Sequence, residues 1–141
     1  MSNPPVVYLT RKEKFSACHR LHSRHLSAEE NVRVYGKCNN PNGHGHNYTV
    51  EVTVCGPLTH ATGMVMNISD LKAHMDVVIM QRLDHKNLDK DLDAFKDIPS
   101  TTENVAVFIW KGLKEVLPEP NLLHEVRIEE TDKNSVIYRG E

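Results

Sequence analysis

The sequence predicts an α+β fold, in which a four-stranded antiparallel sheet carries two helices on one face. Strict alternation of apolar and polar residues over 46–54 (HNYTVEVTV) predicts a half-buried strand. Apolar residues at helical spacing over 67–83 and 100–117 predict two amphipathic helices. Two short apolar runs near the end of the sequence predict a hairpin. The predicted order of the main elements is therefore ββααββ.

The first part of the chain contains two predicted strands and a short helix between them. Residues 6–21 (VVYLTRKEKFSACHRL) alternate well enough for one long strand. Residues 26–36 (LSAEENVRVYG) predict a helix, because Ser27 and Glu30 have the spacing of a capping box and a glycine ends the segment. An Asn-Pro-Asn-Gly turn leads into the strand over 46–54. The apolar side chains of that strand share one face: Tyr48, Val50, Val52 and Val54.

Each of the two long helices has its own start signal and its own apolar stripe. Asn67 is the expected N-cap of the helix over 67–83. The buried stripe of that helix is Ile68, Leu71, Met75, Val78 and Ile79. Ser100 and Glu103 have capping-box spacing at the start of the helix over 100–117, and two prolines follow its end. The second stripe is Val105, Ala106, Ile109, Leu113, Val116 and Leu117.

The last element is a hairpin of residues 122–131 (LLHEVRIEET) and 135–140 (SVIYRG), with its turn at 132–134. The sequence shows no internal repeat, low-complexity tract or domain boundary, so we expect one domain over 1–141. A sheet of four strands cannot close into a barrel within one copy of the chain. Because open sheet edges and an uncovered face favour pairing with other copies, we expect a homo-oligomer.

Composition argues against several classes of function. The chain has 141 residues, of which 26% are charged, and a net charge of −2. The chain lacks the excess of basic residues typical of nucleic-acid binding and the polybasic stretch typical of binding to a membrane surface. It also lacks the apolar run of about 18 residues that a membrane-spanning helix needs. The sequence begins without an apolar core of signal-peptide length. Three cysteines are an odd number, so we expect free thiols in a soluble, cytoplasmic domain.

Two histidines one residue apart at a strand entrance suggest a metal site. His44 and His46 flank a glycine, and side chains at i and i+2 of extended chain project to the same side. Catalytic zinc typically takes three protein ligands, and His19, late in the neighbouring strand, is the best third candidate. His22 and His25 are rivals near the loop. Copper, nickel or iron would also suit imidazoles, and a His-x-His pair also occurs simply as a polar strand entry.

Cys38 has two interpretations. It lies six residues before His44, so it could be a fourth ligand that closes a structural zinc site. Alternatively, it is a thiolate that accepts a proton beside the metal, which requires a partner because an unperturbed thiol has a pKa of about 8.5. Asp84 and His85 could supply that partner where the chain leaves the first long helix. The competing interpretation of this pair is a solvated helix end.

In the last hairpin, Glu130 lies two and four residues after the apolar residues Ile128 and Val126, so in an extended strand all three side chains project to the same face. That spacing directs a carboxylate toward the apolar face, where burial without a partner is costly. The alternative is that the strand has ended by residue 130 and the side chain is solvated.

Together these residues closely resemble the 6-pyruvoyl-tetrahydropterin synthase family over nearly the whole chain. The resemblance rests on the motifs FSACHRL, GKCNNPNGHGHNY, TGMVMNISDLK, LDHKNLD, STTENVAVFIW and EETDKNSVIYRG. Cys18 departs from the family, which usually has serine there. The five-residue gap between Cys38 and His44 favours the biopterin branch over the related 6-carboxytetrahydropterin synthases, which generally have a shorter gap.

The resemblance implies a T-fold subunit. Three such subunits form a twelve-stranded barrel, two trimers stack as a homohexamer, and active sites lie between subunits. It also implies roles for the residues above: zinc (Zn²⁺) ligands His19, His44 and His46, general base Cys38, relay Asp84 and His85, and pterin anchor Glu130.

The activity implied is that of a lyase of tetrahydrobiopterin biosynthesis. It converts 7,8-dihydroneopterin triphosphate to 6-pyruvoyl-tetrahydropterin with elimination of triphosphate. Two alternatives remain at this point: 6-carboxytetrahydropterin synthase activity on the same fold, and a non-catalytic zinc-binding protein with Cys38 as a ligand.

Overall fold

The computed structural model describes residues 3–141 and contains one sheet of five strands. The strands are β1 (Val6–His19), β2 (His44–Pro57), β3 (Lys86–Asn87), β4 (Leu123–Glu129) and β5 (Ser135–Tyr138). Their order in the sheet is β3-β1-β2-β4-β5. The α+β class is confirmed, and the pairs β1–β2, β2–β4 and β4–β5 are antiparallel as predicted.

The prediction of four strands is wrong because it missed β3. This strand has two residues and runs parallel to the end of β1, opposite Ala17 and Cys18. Two residues are too few to give an alternating pattern. The strand forms because the chain leaving the preceding helix is held along β1, where the backbone N–H of His85 donates to Ser16 O at 2.6 Å.

The helices are α1 (Ala28–Tyr35), α2 (Ile68–Met75), α3 (Gln81–Leu83), α4 (Leu88–Asp91) and α5 (Thr102–Val116). The helix predicted over 67–83 is continuous but changes to π-helix over Asp76–Met80. The backbone N–H of Asp84 accordingly bonds to Ile79 O, five residues back, at 3.3 Å. Helix α5 packs closely on this segment. A Cβ added at Gly112 would lie only 2.7 Å from Val78 Cγ1.

The start signals of α1 and α2 are confirmed, whereas that of α5 is wrong. Ser27 and Glu30 form the predicted capping box with two 3.0 Å hydrogen bonds. Asn67 Oδ1 accepts from Ser69 N at 2.8 Å. The N-cap of α5 is Thr101, not Ser100, and its Oγ1 accepts from Asn104 N at 3.2 Å. The side chain of Ser100 is instead buried and bonded elsewhere.

The core lies between one face of the sheet and helices α2 and α5. The four apolar residues of β2 that were predicted to share a face are all buried: Tyr48, Val50, Val52 and Val54. The predicted stripes of α2 and α5 join the same cluster with two exceptions. Ile68, in the first turn of α2, is 54% exposed, and Val116, in the last turn of α5, is only partly buried. Among residues 3–141, no helix combines the length and apolar character needed to cross a membrane.

Candidate active site

Three histidines converge where β1 and β2 end together. The register of these strands pairs His19 with His44 and Ala17 with His46, so all three imidazoles lie on one face. Ring centroids are 4.7 Å apart for His19 and His44, and 4.9 Å apart for His44 and His46. One potential ligand atom from each histidine lies within 4.8 Å of the others, close enough for one metal ion.

Gly43 makes this close approach possible. Its φ is +74°, a left-handed conformation that other residues adopt rarely. A Cβ at Gly43 would also lie 3.0 Å from the backbone oxygen of His19. The glycine therefore allows the chain to turn into β2 directly opposite the end of β1.

His19 is oriented as a ligand would be. The side chain is fully buried, and its Nδ1–H donates to the backbone carbonyl of Ser100 at 2.7 Å. The lone pair therefore lies on Nε2, which is buried and has no hydrogen-bond partner in the described residues. A buried nitrogen without a partner is costly, and a metal ion on this side would satisfy it. The histidines therefore fit a metal ion, because the described residues leave Nε2 of His19 without a hydrogen-bond partner.

Hydrogen bonds of Ser100 and Asp89, which the sequence analysis missed, hold His19 in place. The Ser100 hydroxyl donates to Asp89 Oδ1 at 2.6 Å, and Asp89 Oδ2 accepts from the backbone N–H of Arg20 at 2.6 Å. This chain fixes the carbonyl that orients the imidazole, as outer partners of metal-binding histidines commonly do. Ser100 had been assigned to a helix cap on its spacing alone, so its contact with His19 was not predictable.

Burial favours the neutral form of two histidines of the cluster, His19 and His44. It lowers the pKa of His19 below its usual 6.5, an effect that the bond to Ser100 opposes and the two nearby imidazoles reinforce. Burial and His46 also lower the pKa of His44. Neutral imidazole is the form that binds metals. In the metal-free protein these shifts reduce stability as the pH falls through about 6.5, since the unfolded chain then binds protons more readily.

Cys38 lies in a 3₁₀ turn (Gly36–Asn39) that is fastened to the end of β1. The carbonyl of Cys38 accepts from Leu21 N at 2.9 Å. Asn39, which is buried, accepts from Arg20 Nε at 2.8 Å through its carbonyl and donates to Leu21 O at 2.7 Å. The thiol itself has no part in these bonds and is partly exposed. The sulfur of Cys38 is not among the three mutually close ligand atoms.

Asp84 and His85 form a hydrogen-bonded pair just beyond α3. His85 has a φ of +63°, and this turn brings its Nδ1–H to Asp84 Oδ2 at 2.7 Å. The backbone N–H of Ser16 donates to Asp84 Oδ1 at 2.9 Å and, with His85, lowers the pKa of Asp84. The His85 side chain is 84% exposed. No hydrogen bond joins it to Cys38 within the part of the chain described.

Glu130 lies beside the histidines, one residue beyond β4. Its Oε1 accepts from the Thr102 hydroxyl at 2.9 Å and is 3.5 Å from His46 Nε2. With Thr102 and Tyr35, it lines a cavity of about 380 Å³. The structure therefore places this carboxylate in an accessible, polar position close to the candidate metal centre. Thr102 is a further site residue that sequence reasoning missed, because the pattern of its motif predicts a helix start.

The chain matches the family model described as 6-pyruvoyl tetrahydropterin synthase over residues 8–141. This match covers nearly all of the chain. The chain belongs to the 6-pyruvoyl tetrahydropterin synthase family.

Individual members of the 6-pyruvoyl tetrahydropterin synthase family agree with this assignment. The 6-pyruvoyl tetrahydrobiopterin synthase of Drosophila melanogaster is 61% identical, covering 99% of this chain and 83% of the relative. The human enzyme of that name is 59% identical, covering 94% of this chain and 91% of its own. The Caenorhabditis elegans 6-pyruvoyl tetrahydropterin synthase structure superimposes with a TM-score of 0.97 at 47% identity, covering 100% of both chains. The chain thus has the T-fold of this enzyme family.

The rival histidines of the sequence analysis lie outside the cluster. The Nδ1 atom of His22 accepts from the Asn39 side-chain amide at 3.0 Å. His25 is exposed, with its Nε2 3.3 Å from the backbone oxygen of Asp97. Both residues lie beyond the end of β1, and neither ring offers one of the mutually close ligand atoms.

Proposed function

We propose that this chain converts 7,8-dihydroneopterin triphosphate to 6-pyruvoyl-tetrahydropterin with elimination of triphosphate, a zinc-dependent step of tetrahydrobiopterin biosynthesis. One observation supports the proposal most directly. The unpaired, buried Nε2 of His19 faces two further imidazoles, beside a cavity that contains a carboxylate, in a chain of this family. We place this activity in a single cytoplasmic domain over 1–141.

His19, His44 and His46 are the proposed zinc ligands. Three imidazoles with one position left for substrate are the ligand set of a catalytic rather than a structural zinc site. When bound, zinc supplies Lewis acidity toward the hydroxyls of the substrate side chain, which makes the adjacent C–H bonds more acidic. The Ser100 carbonyl, itself held by the bond from the Ser100 hydroxyl to Asp89, keeps the His19 ring in the required orientation.

Cys38 is the proposed general base, and Asp84 with His85 is its proposed relay. The thiolate removes a proton from the carbon beside a side-chain hydroxyl. Tautomerisation then reduces the ring and oxidises the side chain, and loss of triphosphate yields the second keto group. The reaction is an internal redox exchange, so no external electron carrier is needed. His85, whose Nδ1–H is fixed by Asp84, is free to exchange a proton at its exposed Nε2.

The exposure of His85 favours a relay that works between subunits. Because the His85 side chain is exposed in one subunit, the Asp84–His85 pair can contact Cys38 of another subunit in an assembly. Following what the family resemblance implies, we propose a homohexamer, a dimer of trimers with active sites at subunit interfaces. Exposed apolar residues near the start of β1, including Val6 and Tyr8, supply surface for such contacts.

Glu130 is the proposed anchor for the pterin ring. The 2-amino group and N3–H of a pterin form an edge with two donors, which matches the two oxygens of a carboxylate. The bond from Thr102 holds Glu130 Oε1 in place and leaves the carboxylate directed into the cavity.

Product analysis tests the function directly. The protein is incubated with 7,8-dihydroneopterin triphosphate while released triphosphate and the pterin product are followed by chromatography. We expect stoichiometric triphosphate and 6-pyruvoyl-tetrahydropterin. Formation of 6-carboxytetrahydropterin instead would assign the related activity, and no conversion in metal-replete protein would refute the proposal.

Replacing Glu130 with glutamine should act mainly on substrate binding. Glutamine keeps the shape but loses a charge-assisted acceptor, so KM should rise about tenfold or more while kcat changes less. Steady-state kinetics measure both constants. Glu129→Gln is the matched control, because its carboxylate is one residue away and pairs with Arg127 at 3.5 Å instead. An unchanged KM for Glu130→Gln would contradict the anchoring role.

A further inference from the structure

A second cavity, of about 340 Å³, is lined in part by residues that adjoin His19 and His44 in the sequence, and its lining is cationic. Four cationic side chains and one carboxylate take part in the lining: Arg20, Arg24, Lys90, Lys96 and Asp89. This concentration contrasts with the chain as a whole, which has a net charge of −2. None of these cations has a role in the proton chemistry described above.

The cavity is connected to the candidate metal centre through the backbone. Arg20 directly follows His19, and Gly43, which also lines the cavity, directly precedes His44. Asp89 joins the two regions, because it accepts from the Ser100 hydroxyl that lies beside the His19 ring. Through Asp89 and Ser100, this cavity is linked to the histidine cluster by two hydrogen bonds.

The positive charge in the cavity is only weakly compensated. The guanidinium of Arg20 donates to the neutral Asn39, and Lys90 has no carboxylate within 4.0 Å among residues 3–141. Both oxygens of Asp89 already accept hydrogen bonds from the protein. Arg24 and Lys96 pair with aspartates outside the lining, but these pairs are mostly exposed, and such pairs contribute little.

We propose that this cationic cavity binds the triphosphate of the substrate, an inference that rests on the proposed function. Triphosphate presents several negative oxygens, for which arginine forks and lysine ammonium groups are the usual partners. The pterin ring then lies in the Glu130 cavity, the side chain crosses the histidine cluster, and the phosphates occupy the cationic cavity. The same charges stabilise triphosphate as it leaves.

Lys90→Gln is the test variant, because this side chain is exposed and makes no hydrogen bond that holds the fold within residues 3–141. Inorganic triphosphate is titrated into the protein by calorimetry, and KM is measured with the full substrate. We expect both the dissociation constant and KM to rise about tenfold, as for loss of one charge-assisted bond. Binding of dihydroneopterin, which lacks phosphates, should not change. Lys72→Gln, at an exposed lysine of α2 outside the cavity, is the control.

The two proposals fail in different ways. Suppose that the wild-type protein converts the substrate, but that Lys90→Gln and a second variant, Arg24→Gln, bind triphosphate as tightly as the wild type. That result would overturn the cavity assignment alone. Absence of turnover, with triphosphate binding that depends on Lys90, would overturn the proposed reaction and leave a polyphosphate site. An equal loss of dihydroneopterin and triphosphate binding would also overturn the assignment. Circular dichroism verifies that each variant is folded.

Discussion

Replacing Cys38 with alanine is expected to lower kcat by about 10³-fold, within the range for loss of a general base, while zinc remains bound. The expectation follows from how the turn is held. Its bonds to the end of β1 come from backbone groups and from Asn39, so the thiol can be removed without releasing the turn. The sulfur also lies outside the group of mutually close ligand atoms.

Two measurements are needed for this variant: steady-state kinetics and zinc content by atomic absorption. Cys18→Ser is the matched control, because Cys18 is an exposed thiol next to His19 in the sequence and serine is usual there in the family. The control should keep both activity and metal. Loss of zinc from Cys38→Ala would show that Cys38 is a ligand of a structural site, and near-normal kcat would show that it is not the base.

Removing the metal, or one of its ligands, should abolish turnover. His44→Ala takes away one of three imidazoles, and we expect zinc affinity to fall by more than the roughly 10- to 100-fold typical of losing an outer hydrogen-bond partner. His44 is preferable to His19 for this test, because His19 is fully buried and its ring also satisfies the carbonyl of Ser100.

The experiment compares zinc content, activity after treatment with a chelator, and recovery after zinc is added back. Wild-type protein should lose activity with chelation and regain it with zinc, whereas His44→Ala should recover only at much higher zinc concentration. His60→Ala, at an exposed histidine in a turn, should behave as wild type. Full activity in a chelated, zinc-free sample would refute the metal requirement.

Prediction from sequence succeeded where one local pattern decides the structure. The alternation in β2 identified its buried face, and the capping signals of α1 and α2 are confirmed in the structure. It failed where local signals compete or are too short. At the start of α5, Ser100 and Thr101 both have side chains that can cap a helix, and only the tertiary bond from the Ser100 hydroxyl to Asp89 distinguishes them. The two residues of β3 carried no pattern at all.

By itself, the sequence determined the α+β class, the buried face of β2 and the placement of His44 and His46 on one side of that strand. These follow from periodicity, which depends only on neighbours along the chain. The tertiary structure decided what surrounds them: the Ser100–Asp89 support, the Thr102 bond to Glu130 and the cationic cavity around Arg20 and Lys90. Those contacts join residues that are 11 or more positions apart, and hydrogen-bond partners at that separation are chosen by packing rather than by sequence spacing.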